Sequence, residues 1–348
     1  MSILIKYLII ALIIIVLELA YFKIAAYCNI IERPNQRSSH SSMVLRGGGV
    51  VFMLGLWVWV AFFGMQYLWF LLALTLVAAV SFIDDIHSLS DGVRLVAQSL
   101  AMVLMFHQLG LWGAFDFSEG LSIYGALVPL LVLLLALIVC LGASNIINFM
   151  DGVNGITGAY AMASLLPLFL LNRSLGFVAE SLIVVVALAD ITFCLFNLRP
   201  RGRAKCFAGD VGSMSVAFIL LFLIGSLIIA TGDITYLIFL VVYGVDGCLT
   251  IVHRLMLHEN IGEAHRKHAY QLMANELKIG HVKVALLYAS LQLVISLAFI
   301  CACPDNLLCH TIFLVSVIVI LSVAYIFFMK RYYHLHEEYL ASLTPETK

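Results

Sequence analysis

A chain of 348 residues that is 63% hydrophobic and only 11% charged is not a water-soluble globular domain, in which about a quarter of the residues carry charge. A formal net charge of -1 leaves no basic field with which to hold a nucleic acid. What remains is an all-α, polytopic membrane bundle, expected as one transmembrane domain over residues 1–330 and a cytoplasmic tail over 331–348.

Apolar runs fall at residues 3–26, 48–64, 67–83, 93–109, 121–143, 156–171, 177–197, 212–230, 234–252, 282–302 and 309–329. Each is near the length of a bilayer-crossing helix, so about eleven spans are expected, the fourth and sixth short enough to be tilted or broken. The first run is longer than the apolar core of a signal peptide and no small-residue cleavage site follows it, so it reads as a span that is kept. Lys and Arg accumulate in cytoplasmic loops. With the N-terminus external and the C-terminus cytoplasmic, every one of the 19 basic residues except Lys6 and Arg173 falls on the cytoplasmic side. The eight cysteines include no CxxC pair and read mainly as small hydrophobes. A disulfide between Cys303 and Cys309, which flank one external loop, is left open.

Once the sides are assigned, every polar cluster lies on the cytoplasmic face. The first, ERPNQRSSHSSMVLRGGGV, is basic and hydroxyl-rich and ends in three glycines, which suits either a phosphate cradle or a hinge. Asp84 and Asp85 close the third run; adjacent carboxylates at a membrane surface need a cation, a base's role or water to satisfy them. The island ASNIINFMDGVNGITGAY carries Asn145, Asn148, Asp151 and Asn154 at three-residue spacing, which on a helix gathers their oxygens on one face. A polar loop whose Asn and Gly residues make turns is the plainer reading of that stretch.

In FAGDVGS, Gly209 and Gly212 permit close backbone approach of a ligand, and the following helix N-terminus favours anions. Asp210 there also reads as an N-cap. The segment HRLMLHENIGEAHRKHAYQ places His253, Arg254, His258, His265, Arg266 and His268 in one loop. Arg and His together suit a phosphorylated ligand; a zinc site is the weaker reading, for want of a Cys partner or an HExxH pattern. A transporter would show ionisable groups near mid-membrane or a repeat between halves. Neither is evident, although Glu18, Asp190 and Asp246 lie within runs without an account.

RPNxRSSH with its GGG, the DD pair, NxxNFMDGxNG, FAGDVGS and HRKHxYQ, in this order over about residues 30–275, resemble the motifs of the polyprenyl-phosphate N-acetylhexosamine-1-phosphate transferases of glycosyltransferase family 4. The resemblance implies an Mg²⁺-dependent enzyme, with Mn²⁺ as a substitute, in the bacterial inner membrane. It would take a UDP-N-acetylhexosamine and a polyprenyl phosphate as substrates, work at the cytoplasmic face and serve the first membrane step of O-antigen or surface polysaccharide synthesis; members often pair, so a homodimer is an open partner. By position, Asn148 and Asp210 would hold the metal. Asp84, Asp85, Asp151, His265, Arg266 and His268 would serve catalysis, and Asn35, Arg37, His40, Asn145 and Asn154 would bind substrate. The loop after DD lacks the Lys of the muramoyl-pentapeptide branch, and HRKH replaces that branch's three histidines, which favours the O-antigen type. Asn154 stands where many bacterial members have Asp.

Overall fold

The computed structural model describes residues 2–32, 43–114, 123–260, 262 and 265–343. Among the described residues the chain is almost entirely helical: α1 (Ile3–Tyr27), α2 (Val50–Phe63), α3 (Leu68–Ile86), α4 (Asp91–Gln108), α5 (Ile123–Phe149), α6 (Ile156–Leu175), α7 (Glu180–Asn197), α8 (Gly209–Thr231), α9 (Val241–Met256), α10 (Ala269–Asn275), α11 (His281–Ala302) and α12 (Leu307–Leu343). All eleven apolar runs are helical; the ninth opens as a 3₁₀ segment, Ile234–Leu240, before α9. Eight of the spans are both long and apolar enough to cross a membrane, as a multi-pass membrane protein requires. The exceptions are α2, which has 14 residues, α4, whose first two turns carry Asp91 and Arg94, and α6, which ends in Asn172 and Arg173.

Burial orders the bundle. α8 is buried at every position from Val211 to Ile224, so it is the central helix, and α2, α3, α5 and α6 pack around it. Phe70 of α3 stacks on Phe222 of α8 with ring centroids 4.0 Å apart. Tyr160 of α6 stacks on Tyr243 of α9 at 3.5 Å. By contrast α1, α5 and α12 expose long rows of Leu, Ile and Val, the expected faces toward lipid, where apolar side chains need no protein partner.

The two ends of the bundle differ. At one end, aromatic residues meet turns: the Trp59 indole donates to Ser181 Oγ at 3.0 Å and the Ala179 amide donates to Tyr67 Oη at 2.8 Å. The polar clusters singled out in the sequence, as far as the structure describes them, gather at the other end. There a two-stranded antiparallel ribbon, β1 (Ile31–Glu32) and β2 (Val44–Leu45), brackets residues 33–42. Asn35, Arg37 and His40 fall in that stretch, outside the described residues. After β2 the chain runs against the segment that opens α8: the amides of Gly48 and Gly49 donate to the carbonyls of Phe207 and Ala208 at 2.8 and 3.0 Å.

The glycines serve this contact. A β-carbon on Gly49 would stand 2.2 Å from Gly212 Cα and 2.9 Å from the Ala208 carbonyl, both backbone atoms that cannot swing away. One on Gly209, whose φ is +70°, would stand 2.5 Å from Asp85 Oδ2. What approaches these glycines is thus the protein itself and not, as the sequence suggested, a ligand. Gly49→Ala is expected to cost about 3 kcal/mol by forcing two backbones apart, read as a lowered melting temperature in detergent; an unchanged midpoint would refute the close-packing account.

Two carboxyl groups left without an account lie deep in the bundle. Glu18 of α1 accepts from Cys206 Sγ at 3.9 Å, and Asp190 of α7 accepts from Cys194 Sγ at 3.9 Å. All eight cysteines are free, so the open question about Cys303 and Cys309 is answered by two thiols.

Candidate functional site

The site is assembled from helix ends. Asp84 and Asp85 lie in the last turn of α3, beside the first turn of α8, and consecutive residues on a helix point about 100° apart. Asp85 turns inward: its side chain is 0% exposed and its two oxygens accept from the amides of Asp210 and Val211 at 2.9 and 3.1 Å. Arg46, just after β2, donates to it from Nε at 2.8 Å and also pairs with Glu32 at 3.3 Å. A carboxylate on the free amides of a helix N-terminus is favoured by both the hydrogen bonds and the dipole. Asp85 therefore does the capping expected of Asp210. The position before α8 is Ala208, which has no capping side chain.

Released from capping, Asp210 faces the cleft, with 25% of its side chain exposed. Asp84 turns the same way. Its Oδ1 accepts from the Leu89 amide at 2.6 Å and its Oδ2 from Arg94 Nη1 at 3.3 Å, while Arg94 also stands 3.9 Å from Asp210 Oδ2. The Asp84 and Asp210 carboxyl groups are near enough to act on each other and share Arg94. Two carboxyl groups in contact need a proton or a cation between them. Arg94 supplies one such charge and is also held by Asp91.

The Asn/Asp island does not present four groups on one helix, because α5 ends at Phe149. Asn145 and Asn148 share its last turns. Asn145 donates to Gln98 Oε1 of α4 at 3.0 Å, and Asn148 Oδ1 accepts from Ser213 Oγ of α8 at 2.5 Å. Asp151 lies in the following turn, where its Oδ1 accepts from Thr157 Oγ1 at 2.5 Å. Burial pushes its pKa up to about 6 and nearby Asp85 adds to the shift, against the Thr157 hydroxyl and Arg46, which lower it. Asn154 is turned away: its amide donates to the carbonyls of Arg199 and Pro200 at 3.0 and 3.3 Å, and its backbone amide donates to His281 Nδ1 at 3.2 Å.

The histidine loop closes the far side. The His265 ring lies 6.3 Å from that of Phe149 and 5.0 Å from that of His268. Burial, with His268 and Arg254 nearby, pushes the His265 pKa down to about 3, so it is neutral at physiological pH. His268 is organised by Asp246, which accepts from its Nδ1 at 3.2 Å, from the Ala269 amide at 3.2 Å and from Tyr288 Oη at 2.6 Å. That buried carboxylate of α9, unexplained in the sequence, fixes the start of α10. Tyr270 Oη then donates to the Phe149 carbonyl at 3.0 Å, tying the loop to the island. Arg266 points the other way, into a pocket against Glu276 at 2.7 Å, with its side chain 8% exposed.

The result is a cleft of about 270 Å³ whose polar lining includes Asp91, Arg94, Gln98, Asn145, Asn148 and Asp210 and whose apolar lining includes Val77, Val80, Leu95 and Met214. Asp84 adjoins it through Arg94 and Asp210; Asp85 and Asp151 lie behind it. Arg46, Arg94, Gln98, Ser213 and Asp246 are the participants the sequence reading missed. The arginines figured there only as inside-positive charge, and no local signal marks a lone Gln or Ser.

Among the described residues no three His, Cys, Asp or Glu side chains surround one point closely enough to bind a metal alone. Asp210 and Asn148 are oxygen donors of the kind Mg²⁺ takes, since that ion keeps several waters and uses one or two protein carboxylates together with substrate phosphates. The donors present, the Asp84 and Asp210 carboxyl groups beside the Asn148 amide and Ser213 hydroxyl oxygens, are of the hard type that ion prefers.

Residues 67–230 match the model of glycosyl transferase family 4. The chain is similar to a phospho-N-acetylmuramoyl-pentapeptide-transferase of Thermotoga neapolitana, 35% identical over 24% of this chain and 26% of that protein. It is 27% identical to a probable undecaprenyl-phosphate N-acetylglucosaminyl 1-phosphate transferase of Bacillus subtilis, over 56% of this chain and 55% of that protein. An undecaprenyl-phosphate alpha-N-acetylglucosaminyl 1-phosphate transferase of Thermotoga maritima is 26% identical over 77% of this chain and 80% of that protein. The first two alignments thus span a quarter and about half of the relatives' own length.

Proposed function

We propose that the chain is a member of glycosyl transferase family 4, whose model matches residues 67–230, and that it moves an N-acetylhexosamine 1-phosphate from a UDP-sugar to a polyprenyl phosphate. In this reaction an oxygen of the lipid phosphate attacks the sugar-proximal phosphorus. The bond from that phosphorus to the bridging oxygen breaks, UMP departs with the electron pair, and a polyprenyl-diphosphate sugar stays in the membrane. The observation that carries the reading is the cleft's two-sided lining: Asp84, Asp210, Arg94 and Asn148 gather at helix ends beside the apolar wall of Val77, Val80, Leu95 and Met214. A lipid phosphate and a soluble nucleotide can meet only at such a boundary.

Both reactants are anions, so the chemistry is mainly positioning and charge compensation. Mg²⁺, or Mn²⁺ in its place, would offset charge on the phosphates when bound, held by Asp210 and Asn148. Arg94 adds a fixed positive charge on the cleft wall. Asp84, anchored by the Leu89 amide, aims its second oxygen at the same place and positions the attacking phosphate. His265, neutral and half-buried, acts as a hydrogen-bonding group. His268, held by Asp246, presents its Nε2 without a protein partner. We assign Asn145 to substrate contact, and keep Asn35, Arg37 and His40 as contacts from the loop that β1 and β2 bracket.

We favour an N-acetylhexosamine donor, with O-antigen or surface polysaccharide initiation at the cytoplasmic face of the bacterial inner membrane, over a muramoyl-pentapeptide donor. HRKH and the DD loop depart from the latter branch, and the similarity to the T. maritima N-acetylglucosaminyl transferase runs over 77% of this chain. The test is purified protein in detergent with undecaprenyl phosphate, Mg²⁺ and a panel of radiolabelled UDP-N-acetylhexosamines and UDP-muramoyl-pentapeptide. Transfer of label to the organic phase with release of UMP is expected for a UDP-N-acetylhexosamine. Turnover of the muramoyl donor alone would reassign the branch, and none with any donor would reject the function.

Asp151 makes a pH prediction. Its carboxyl binds a proton more tightly in the fold, at about 6 against an ordinary 3.8. Its contribution to stability is therefore fully present below pH 3.8 and lost as pH rises through 6. Kept ionised at neutral pH, it costs at most about 3 kcal/mol. Asp151→Asn is expected to raise the melting temperature at pH 7.5 more than at pH 5. Equal melting gains at both pH values would show that the carboxyl is not strained by burial.

A further inference from the structure

The last helix does not stop where its apolar residues stop. After Met329 the sequence turns polar, KRYYHLHEEYLASL, yet α12 continues unbroken to Leu343. Such an overhang has no lipid for an apolar face, so a face that is buried must rest on protein. One face is buried. Tyr325, Met329 and His336 are 9%, 6% and 2% exposed, and Tyr333 and Tyr339 are half-buried, while Lys330, Arg331, His334, Glu337 and Glu338 are exposed. The steps from Tyr325 through Met329, Tyr333 and His336 to Tyr339 are four, four, three and three residues, one stripe of a helix.

Every member of that stripe touches the segment carrying His265 and His268, or the helix before it. Tyr325 Oη hydrogen-bonds Thr250 Oγ1 at 2.9 Å, and Thr250 in turn donates to Asp246 at 3.1 Å, the carboxylate that holds His268. Met329 packs with Ala269 and Leu272. The Tyr333 ring lies 4.6 Å from that of His253 and has the Lys267 ammonium 6.0 Å from its centroid. His336 Nδ1 meets Glu276 Oε1 at 3.0 Å, and that oxygen also accepts from Arg266 Nη2 at 2.7 Å. The Arg266 guanidinium lies 4.2 Å above the Tyr339 ring. Lys267 is paired with Glu259 on its other side. Arg266 and Lys267 are thus pulled outward onto α12 by ion pairs and aromatic faces. Their neighbour His265 has its ring 6.3 Å from that of Phe149, a residue of the cleft lining.

We propose that the overhang of α12 is a strut that sets the position of the His265–His268 segment over the cleft, with Tyr333, His336 and Tyr339 as positioning residues for transfer. None of the three lines the cleft, so they act through Lys267, Glu276 and Arg266. Arg266 itself is a tether and not a phosphate ligand. The consequence for the reaction rests on the transferase reading above; the mechanical claim does not.

The experiment therefore has two arms, run on full-length protein in detergent with Tyr339→Leu, His336→Leu and Tyr339→Phe. The first is hydrogen exchange followed by mass spectrometry. Tyr339→Leu and His336→Leu are expected to speed exchange of amides 265–276 at least tenfold while leaving the ends of α3 and α8 unchanged. Tyr339→Phe, which keeps the ring face for Arg266, should match the unaltered protein. The second arm is steady-state transfer: the two Leu variants are expected to raise KM for the UDP-sugar about tenfold, with KM for undecaprenyl phosphate unchanged. Unaltered exchange in both Leu variants would overturn the strut. So would exchange that speeds throughout the bundle together with a loss of kcat and both KM values, because that is general destabilisation. If the unaltered protein turns over no UDP-sugar, the transferase reading fails and the exchange arm still decides the strut.

Discussion

Asp210→Asn is expected to lower kcat by about 10²- to 10³-fold while leaving the melting temperature unchanged. The substitution keeps the shape of the side chain and removes its charge. Nothing in the fold depends on that charge: α8 is capped by Asp85, through the backbone amides of Asp210 and Val211, and not by the Asp210 side chain. What depends on it is the cleft, which the Asp210 carboxyl enters beside Asp84 and 3.9 Å from Arg94. Losing a group that holds a metal or balances developing charge typically costs about 3–4 kcal/mol of transition-state stabilisation, and each 1.4 kcal/mol is about tenfold in rate. An interaction made only in the transition state lowers kcat and kcat/KM together, so both constants should fall by the same factor. UMP release measured at saturating donor and lipid phosphate checks this. A tenth of normal turnover or more would remove Asp210 from the reacting centre.

The capping arrangement also marks where the sequence stopped being informative. The helices were legible because lipid imposes a local rule: a backbone in hydrocarbon must satisfy itself, so each apolar run folds into a helix, and all eleven runs did. The clustering of polar loops at one end was legible for a related reason, since alternating spans place every second loop on the same side. Which way each side chain turns at that end is not a local property. Asp84 and Asp85 are identical in type and adjacent in sequence, and only the start of α8, some 125 residues away, separates their roles. Asn154 looked like part of a ligand-binding face until α5 ended at Phe149 and its amide found the carbonyls of Arg199 and Pro200. Arg266 looked like a phosphate ligand until a helix some 70 residues downstream offered it a tyrosine face. Asp246, an anomaly inside an apolar run, proved to be the anchor of the histidine loop. In each case the deciding contact joins distant parts of the chain.

The adjacent aspartates give the second large effect, because the same substitution should act on opposite quantities at the two positions. Asp84→Asn retains an oxygen to accept from the Leu89 amide, so little stability is at stake. It surrenders the charge facing Arg94 and Asp210, and kcat is expected to fall at least 10²-fold. Asp85→Asn does the reverse. Both Asp85 oxygens accept from backbone amides, and one also accepts from Arg46 in a side chain that is 0% exposed. An amide there would set its own NH₂ against a backbone N–H or against the guanidinium. Breaking such a buried pair leaves an uncompensated charge and costs about 3–5 kcal/mol, partly relieved because Arg46 also has Glu32 at 3.3 Å. The expected result is a melting temperature clearly lowered for Asp85→Asn and nearly unchanged for Asp84→Asn. The little folded Asp85→Asn that survives should lose activity only because the start of α8, and Asp210 with it, is no longer held against α3. Supplying lipid or lower temperature to stabilise the fold should then restore part of the turnover of Asp85→Asn and none of that of Asp84→Asn. Equal loss of stability at both positions, or rescue of Asp84→Asn by stabilising conditions, would mean that the two carboxylates do not divide their work between holding α8 and facing the cleft.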